Sequence, residues 1–193
     1  MRIVAGKFKG RRLKTVKGSE VRPTADRVKE SLFRIFGEQV VDADFLDLCA
    51  GTGSIGLEAL SQGARSATFV DNNYHSIRTI ESNLEMCGFD RKQPHVQLIH
   101  LDARKALTRF SKRKAKFDLI YFDPPYASKF HESCVKQIAE GDLLSAVGVL
   151  VIEHGKVQEP DWTGSLTLDE LVLSRRERYG DTMLSFYRSH QLR

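Results

Sequence analysis

The segment Phe122-Asp123-Pro124-Pro125-Tyr126 combines residue types that can recognise an amino group. An ionised aspartate accepts hydrogen bonds and donates none. The prolines lack a backbone N–H, so their carbonyls remain available as acceptors in a rigid loop, and the tyrosine adds a flat aromatic face. The segment therefore predicts a pocket for a planar base with an exocyclic amine, whose two hydrogens point at Asp123 and the Pro124 carbonyl. The plainer alternative is a strand terminator beside a buried tyrosine.

A glycine-rich segment from Asp47 to Gly56 predicts a cofactor loop. Gly51, Gly53 and Gly56 fit the pattern G-x-G-x-x-G, and glycines let the backbone approach a ligand closely. Asp71 follows Gly53 by 18 residues, and a carboxylate at that position can accept two hydrogen bonds from a ribose diol. These residues do not choose between a nicotinamide dinucleotide and S-adenosylmethionine, because both carry an adenosine.

Elements that would position these residues alternate along the chain. We predict strands over 44–48, 67–70, 96–101, 118–122 and 147–153, helices over 24–36, 54–61, 75–86, 103–110 and 130–139, and a closing antiparallel pair over 166–173 and 182–187. Strands that alternate with helices favour a parallel sheet with helices on both faces. Ligands of such sheets bind at the carboxyl ends of the strands, where the pattern places Asp71, Asp102 and Asp123.

Positive charge is concentrated near the N-terminus. Residues 1–30 carry a net charge of +7 and residues 31–193 a net charge of −2, which together give +5. In this basic N-terminal arm, Gly6, Phe8 and Gly10 lie between the cations, which favours an extended segment that follows a nucleic-acid backbone. The predicted RNA-binding residues are Lys7, Lys9, Arg11, Arg12 and Lys14. A second basic stretch, residues 104–116, is interpreted as a solvated face.

Composition excludes several classes of protein. With 193 residues, 41% hydrophobic and 28% charged, the chain is long enough for one ordinary domain and is not a disordered sequence. Its longest apolar run is too short to span a bilayer, and its start lacks a signal-peptide pattern. The three cysteines form neither a disulfide framework nor a zinc pattern, and the six histidines show no metal spacing. We therefore expect a cytoplasmic monomer without a metal or a membrane contact.

Four segments together carry a family resemblance: Arg22-Pro-Thr-Ala-Asp-Arg-Val-Lys-Glu-Ser-Leu-Phe33, the glycine loop, Phe117-Asp-Leu-Ile-Tyr-Phe-Asp-Pro-Pro-Tyr126 and Arg178-Tyr-Gly-Asp-Thr-Met-Leu184. This ordered set resembles the bacterial 16S rRNA guanine-N2-methyltransferases of the RsmD type, over nearly the whole chain. One departure is Asp71, where glutamate is more usual in the family. Aspartate can make the same diol contacts.

The resemblance implies a fold and an activity. The fold is a Rossmann-like class I methyltransferase, with a central, mostly parallel seven-stranded sheet, helices on both faces and an antiparallel C-terminal strand pair. Residues 1–40 would form the basic arm and first helix, and 41–193 the methyltransferase domain. The enzyme would act in the cytoplasm. It would transfer a methyl group from S-adenosyl-L-methionine to the exocyclic N2 of one guanine of 16S rRNA in an assembling small ribosomal subunit, releasing S-adenosyl-L-homocysteine.

The resemblance also implies residue roles. Gly51 to Gly53 would pass under the cofactor, with Asp47 near its amino-acid end. Asp71 would hold its ribose, and Asp102 with the Ala103 N–H would read its adenine. The implied cofactor-binding residues are Asp47, Ala50, Gly51, Thr52, Gly53, Asp71, Asn72, Asp102, Ala103, Arg22 and Thr24. The implied catalytic residues are Asp123, Pro124, Pro125 and Tyr126.

Two hypotheses from other classes remain open. A dinucleotide-dependent oxidoreductase explains the glycine loop and Asp71 but leaves the segment from Asp123 to Tyr126 unexplained. A non-catalytic RNA-binding module uses the arm alone. If the protein is a methyltransferase, Glu153 is explained equally well by a place near the substrate or by a structural role. The residues from Arg178 to Thr182 fit a turn between the last two strands, in which Gly180 suits a positive φ, somewhat better than a contact near the target base.

Overall fold

The structure is a computed structural model that describes residues 1–15, 26–89, 93–124, 128–155 and 171–189. In chain order, its elements are α1 (Asp26–Phe36), β1 (Asp44–Leu48), α2 (Ser54–Ser61), β2 (Ser66–Asp71), α3 (Tyr74–Met86), β3 (Val96–His100), α4 (Ala103–Lys112), β4 (Phe117–Phe122), α5 (Ser128–Glu140), β5 (Leu144–Gly155), β6 (Leu171–Tyr179) and β7 (Thr182–Ser189). A short 3₁₀ turn, Gly37–Val40, follows α1. None of these helices is long and apolar enough to cross a membrane.

The seven strands form one sheet in the order β3-β2-β1-β4-β5-β7-β6. Pairing is parallel between β1 and β2, β2 and β3, and β4 and β5, and antiparallel between β5 and β7 and between β7 and β6. This confirms the predicted seven-stranded, mostly parallel sheet with an antiparallel C-terminal pair. The predicted bounds of β1 and α2 are also correct.

The chain divides into two compact units, Met1–Asp102 and Ala103–Arg193. In the first unit, the inner residues of β1 and β2 are almost all buried, because helices cover the sheet. Every residue of α2 is buried too, including the polar Glu58 and Ser61. A helix that is buried on all sides must be covered by another segment. The N-terminal arm, described below, provides that cover.

In the second unit, β4 and β5 supply the apolar core and β6 lies at the edge of the sheet. The predicted strand over 166–173 is wrong in its bounds, since β6 continues through the charged residues to Tyr179. Residues 166–170 lie outside the described part of the chain. An edge strand tolerates charged side chains because one side faces water, and this weakens its alternation pattern. The predicted turn is confirmed at Gly180, whose φ is +64°.

Candidate active site and nucleic-acid interface

The loop after β1 turns tightly into α2 through three left-handed residues. Cys49, Gly51 and Gly53 have φ values of +65°, +56° and +73°. The Gly53 N–H closes the turn by donating to the Ala50 carbonyl at 2.7 Å. Gly56 is required for packing, since a Cβ there would lie 2.3 Å from the Phe69 ring. The first glycines therefore shape the loop, and the last one brings α2 close to the sheet.

Asp71, at the end of β2, is held by two backbone N–H groups. Its Oδ2 accepts from Gly51 and its Oδ1 from Asn73, each at 2.8 Å. Since a carboxylate offers about four acceptor positions, both oxygens can also accept from a ligand. The Leu101 N–H donates to the Asp71 carbonyl at 3.0 Å and so aligns the end of β3 with that of β2. This arrangement fits the two hydroxyls of an adenosine ribose beside the glycine loop.

Asp47, on β1, lies beneath the glycine loop. It is 2% exposed, and its Oδ2 accepts from the Gly56 N–H at 2.9 Å. Burial raises the pKa of Asp47 to about 8, and repulsion from Asp71 adds to the shift, while the Gly56 N–H opposes it. The side chain thus fixes the start of α2 from beneath the loop. Its predicted contact with the amino-acid end of a cofactor stays a prediction.

The remaining predicted cofactor residues are placed as follows. Thr52 is buried within the loop, Asn72 is exposed after β2, and Asp102 is half-buried after β3. Ala103 is buried at the start of α4. Arg22 and Thr24 lie outside the described residues. Across the described ranges, no three His, Cys, Asp or Glu side chains are grouped so that they could hold a metal ion.

In the second unit, aromatic packing fixes the end of β4. The Phe122 ring is fully buried and lies 6.2 Å from Phe130 and 6.0 Å from His131, measured between ring centroids. The Arg104 guanidinium lies over the Phe130 ring at 5.3 Å. Directly after this strand, Asp123 is half-buried and Pro124 buried. Pro125 and Tyr126, the other predicted catalytic residues, lie outside the described part of the chain.

A hydrogen bond between neighbouring strands brings a second carboxylate to this region. The Tyr121 hydroxyl, on β4, donates to Glu153 Oε2, on β5. Tyr121 is 1% exposed, and Glu153 is half-buried. Sequence reasoning left Glu153 open and missed Tyr121. The available signal was strand alternation, which puts Tyr121 and Asp123, two residues apart, on one face.

The N-terminal arm is folded back on itself. Antiparallel contacts close it, with the Ile3 N–H donating to the Arg11 carbonyl at 2.9 Å and the Gly10 N–H to the Ile3 carbonyl at 2.8 Å. Ile3 is fully buried, and the Phe8 ring packs edge-on against Phe89 at 5.2 Å. The expectation of an extended arm is therefore wrong for residues 1–15, because two apolar side chains gain more by packing on the domain.

A buried ion pair anchors this folded arm. Glu58, on α2, accepts from the N–H groups of Val4 and Ala5 at 2.8 Å each. Its partner Lys29, on α1, lies 3.4 Å away and donates to the Arg2 carbonyl, and both side chains are 0% exposed. Burial lowers the pKa of Lys29, and the attraction of Glu58 opposes this shift. Sequence reasoning missed the pair because nothing local links the two positions.

Asn83, on α3, joins the arm to the glycine loop. Its Oδ1 accepts from the Lys14 N–H at 2.8 Å, and its Nδ2 donates to the carbonyls of Lys14 and Thr52 at 3.1 Å and 3.0 Å. The side chain is fully buried. The five predicted RNA-binding cations are all exposed on the arm: Lys7, Lys9, Arg11, Arg12 and Lys14. The structure thus presents the predicted RNA-binding residues on a fixed support.

Comparisons with known proteins agree with this architecture. The sequence pattern of a family described as Conserved hypothetical protein 95 matches residues 1–188. YlbH of Bacillus subtilis, provisionally named an rRNA methyltransferase, is 38% identical over 97% of this chain and 98% of its own length. Ribosomal RNA small subunit methyltransferase D of Haemophilus influenzae is 29% identical over 84% of this chain and 85% of its own. The solved structure of yhhF from Escherichia coli, provisionally named a methyltransferase, superimposes with a TM-score of 0.82 at 26% identity, covering 99% of this chain and 98% of that one.

The sheet order and the glycine loop, together with these matches, define a Rossmann-like class I methyltransferase fold. Within that class, the chain belongs to the Conserved hypothetical protein 95 family, the RsmD type. The names of its relatives support methylation of ribosomal RNA as the activity.

Proposed function

We propose that this protein transfers a methyl group from S-adenosyl-L-methionine to the exocyclic N2 of one guanine in 16S rRNA of the assembling small ribosomal subunit. The observation that carries the proposal is the end of β4, where Asp123 and Pro124 supply two acceptors on a strand fixed by the packing of Phe122. Two hydrogen-bond acceptors at this point match the two hydrogens of an exocyclic amine. A relative named rRNA small subunit methyltransferase D supports the choice of RNA.

Residues around the glycine loop would hold the cofactor. Asp71 would accept hydrogen bonds from the ribose hydroxyls, since two backbone N–H groups already fix the orientation of its carboxylate. The loop from Ala50 to Gly53 would pass beneath the ligand, with Asn72, Asp102 and Ala103 on the adenine side. Arg22 and Thr24 would close over the methionine end. The cofactor supplies a methyl group on a positively charged sulfur.

The loop after β4 would orient the acceptor base. Asp123 and the Pro124 carbonyl would accept the two amine hydrogens and so direct the nitrogen lone pair toward the methyl carbon. Pro125 would keep the loop rigid, and Tyr126 would stack on the base. Transfer would form the new N–C bond as the S–C bond breaks, leaving S-adenosyl-L-homocysteine, and the proton lost from the amine would pass to Asp123 or to water. Catalysis is then mainly proximity and orientation. A target base inside a duplex would first flip out, at a cost of a few kcal/mol.

The arm would bind the RNA backbone. Its exposed cations belong to a segment anchored by Glu58 and Asn83, so binding does not have to order a free chain. Lysine and arginine on phosphates release counterions, which makes the affinity depend on salt. We expect the enzyme to act as a cytoplasmic monomer.

A methyl-transfer assay tests the proposal. The purified protein is incubated with tritiated S-adenosylmethionine and 30S particles from cells that lack the activity, and the labelled nucleosides are identified. We expect N2-methylguanosine. Label in N6-methyladenosine would keep the fold but overturn the substrate. No label in any RNA, together with no calorimetric binding of S-adenosylmethionine, would overturn the proposal, and binding of a dinucleotide instead would favour an oxidoreductase.

Two matched variants separate the pocket from the fold. Asp123→Asn removes one charge directly after β4, and Asp142→Asn makes the same chemical change at an exposed turn whose side chain is 76% accessible. We expect Asp123→Asn to lower kcat by about 100-fold or more, since it weakens an acceptor aimed at the reacting nitrogen. Asp142→Asn should retain full activity. Equal activity of the two variants would contradict the role of Asp123.

A further inference from the structure

The carboxyl end of β5 carries a carboxylate that the proposed mechanism does not use. Phe122 on β4 pairs with Ile152 on β5, so the next residues of the two strands, Asp123 and Glu153, follow the same row of the sheet. Adjacent strands lie about 4.8 Å apart. A base amine held by Asp123 would therefore lie within reach of Glu153.

Strand alternation and a direct contact define the face on which Glu153 lies. Tyr121 pairs with Val151, and Glu153 is two residues beyond Val151, so both side chains belong to one face of the sheet. The hydrogen bond from the Tyr121 hydroxyl to Glu153 Oε2 confirms this. Asp123 follows Tyr121 at the same two-residue spacing. Two carboxylates thus stand at the ends of neighbouring strands, with one of them oriented by a buried tyrosine.

Guanine offers donors that match two such carboxylates. Its N1–H and its N2 amine are adjacent donors on one edge of the base, whereas adenine has an acceptor at N1. Enzymes that act on an extruded base read it through hydrogen bonds to this edge. A carboxylate opposite N1 would bind guanine and repel the N1 lone pair of adenine.

We propose that Glu153, oriented by Tyr121, accepts the N1–H of the target base and makes the site selective for guanine over adenine. The inference rests on the proposed function and adds a specificity-determining residue to it. Tyr121 acts as a positioning residue, since its hydroxyl holds one carboxylate oxygen and does not touch the base. The acceptor capacity of a carboxylate, about four positions, accommodates both contacts.

A substrate analogue tests this contact. 2-Aminopurine keeps the N2 amine of guanine but has an acceptor at N1. The nucleotide that the wild-type protein methylates is first located by sequencing, and 30S subunits are then reconstituted with guanine or 2-aminopurine at that position. The quantity measured is the ratio of kcat/KM for guanine to that for 2-aminopurine. A site built to accept the N1–H rejects an analogue that lacks it, so the wild-type ratio should be large.

Glu153→Gln should lower this ratio by about 10- to 100-fold, because the neutral amide can donate to the N1 acceptor of 2-aminopurine. Glu177→Gln is the matched control. β7 lies between β5 and β6, and its Leu184 pairs with Glu153 on β5 and with Glu177 on β6, so the two glutamates occupy equivalent positions on either side of β7. The control should keep the wild-type ratio, and both variants should bind S-adenosylmethionine as the wild type does. A purely structural role for Glu153 would change stability without changing the ratio.

Tyr121→Phe removes only the hydroxyl and should lower the ratio in the same direction, by a smaller factor. It carries the test if Glu153→Gln does not fold. An unchanged ratio in whichever of these variants folds would overturn the inference, as would a wild-type enzyme that methylates guanine and 2-aminopurine equally. A wild-type enzyme that methylates no guanine would instead overturn the proposed function itself.

Discussion

Replacing Glu58 by glutamine should destabilise the fold or release the N-terminal arm. The carboxylate accepts from the backbone of Val4 and Ala5, from the Gln62 side chain at 2.8 Å, and faces Lys29. A glutamine keeps the shape but turns an NH₂ group toward some of these donors. It also leaves the Lys29 ammonium without its counter-charge in a site that is 0% exposed.

The expected cost follows from that burial. Breaking a fully buried ion pair by removing one partner costs about 3–5 kcal/mol, because the remaining charge stays desolvated. In a chain of this length, that corresponds to a melting temperature lower by roughly 6–20 °C. If the arm detached, water would reach Lys29 and remove this penalty. The observed cost therefore cannot exceed the free energy needed to detach the arm from the domain. Glu58→Gln should therefore either destabilise the whole fold by about 3 kcal/mol or more, or free the arm.

Chemical denaturation and limited trypsin digestion distinguish these two outcomes. A freed arm would be cut rapidly after Lys7 and Lys9 while the rest of the chain stays folded. Adding Lys29→Met should recover at least half of the loss, since the unpaired charge is then gone. Glu85→Gln, on the exposed side of α3, is the control and should change stability by less than about 0.5 kcal/mol. A Glu58→Gln protein within about 1 kcal/mol of the wild type, with its arm still protected, would refute the reasoning.

Three further outcomes are expected. Gly6→Ala should loosen the arm, because the new Cβ would lie 1.9 Å from the Ser61 carbonyl oxygen. Gly10→Ala is the control, since its new Cβ would meet no atom within 4 Å and would add only the strain of a φ of +83°. Tryptic digestion measures how far each substitution exposes the arm. Because the pKa of Asp47 is raised to about 8 in the folded protein, its contribution to the free energy of unfolding is complete below about pH 4 and is lost progressively until the pH passes 8. Asparagine does not titrate, so from pH 5 to pH 9 the stability of Asp47→Asn should rise relative to the wild type by up to about 4 kcal/mol. Denaturation curves measure this difference in stability, and a difference that does not change with pH would contradict the prediction. Alanine at four arm cations should reduce the slope of the logarithm of the RNA-binding constant against the logarithm of the salt concentration by the equivalent of about four phosphate contacts. Alanine at four cations in and directly after α4 should leave this slope unchanged. Equal slopes for the two variants would exclude the arm as the RNA-binding surface. The arm set is Lys7, Lys9, Arg11 and Arg12, and the control set is Lys105, Arg109, Lys112 and Arg113.

Local signals in the sequence predicted the sheet and the glycine loop well. β1 has five residues between clear breaks, and the glycines after it require left-handed backbone that other residues rarely adopt. The bounds of β6 were wrong because the strand lies at an edge and carries Arg175 to Arg178, so its pattern resembles a loop. The alternation of apolar and polar residues fails to predict a strand where the side chains face water and not the core.

The contacts that hold the site could not be predicted from spacing alone. Glu58 and Lys29 are 29 residues apart on different helices, and each reads as an ordinary charged position of a surface helix. Among the described residues, the arm covers Glu58 through the backbone of Val4 and Ala5, and this contact is invisible in the local sequence. The role of Asp47 as a cofactor ligand stays a prediction, and its hydrogen bond from the Gly56 N–H, nine residues further along the chain, had no signal in the sequence. Burial created by a distant segment has no local signature.

The anchoring of the arm connects the proposed RNA-binding segment with the shape of the glycine loop. Asn83 has one acceptor oxygen and two donor hydrogens, and the contacts to Lys14 and Thr52 use all three. If the arm left, the Asn83 oxygen and one hydrogen would exchange their partners on Lys14 for water, a net loss of about 0.5–1.5 kcal/mol for each hydrogen bond. The amide would then favour another orientation, and its hold on the Thr52 carbonyl would weaken. A docked arm thus stabilises the loop after β1, so the segment proposed to bind RNA and the loop proposed to bind the methyl donor share one side chain, Asn83.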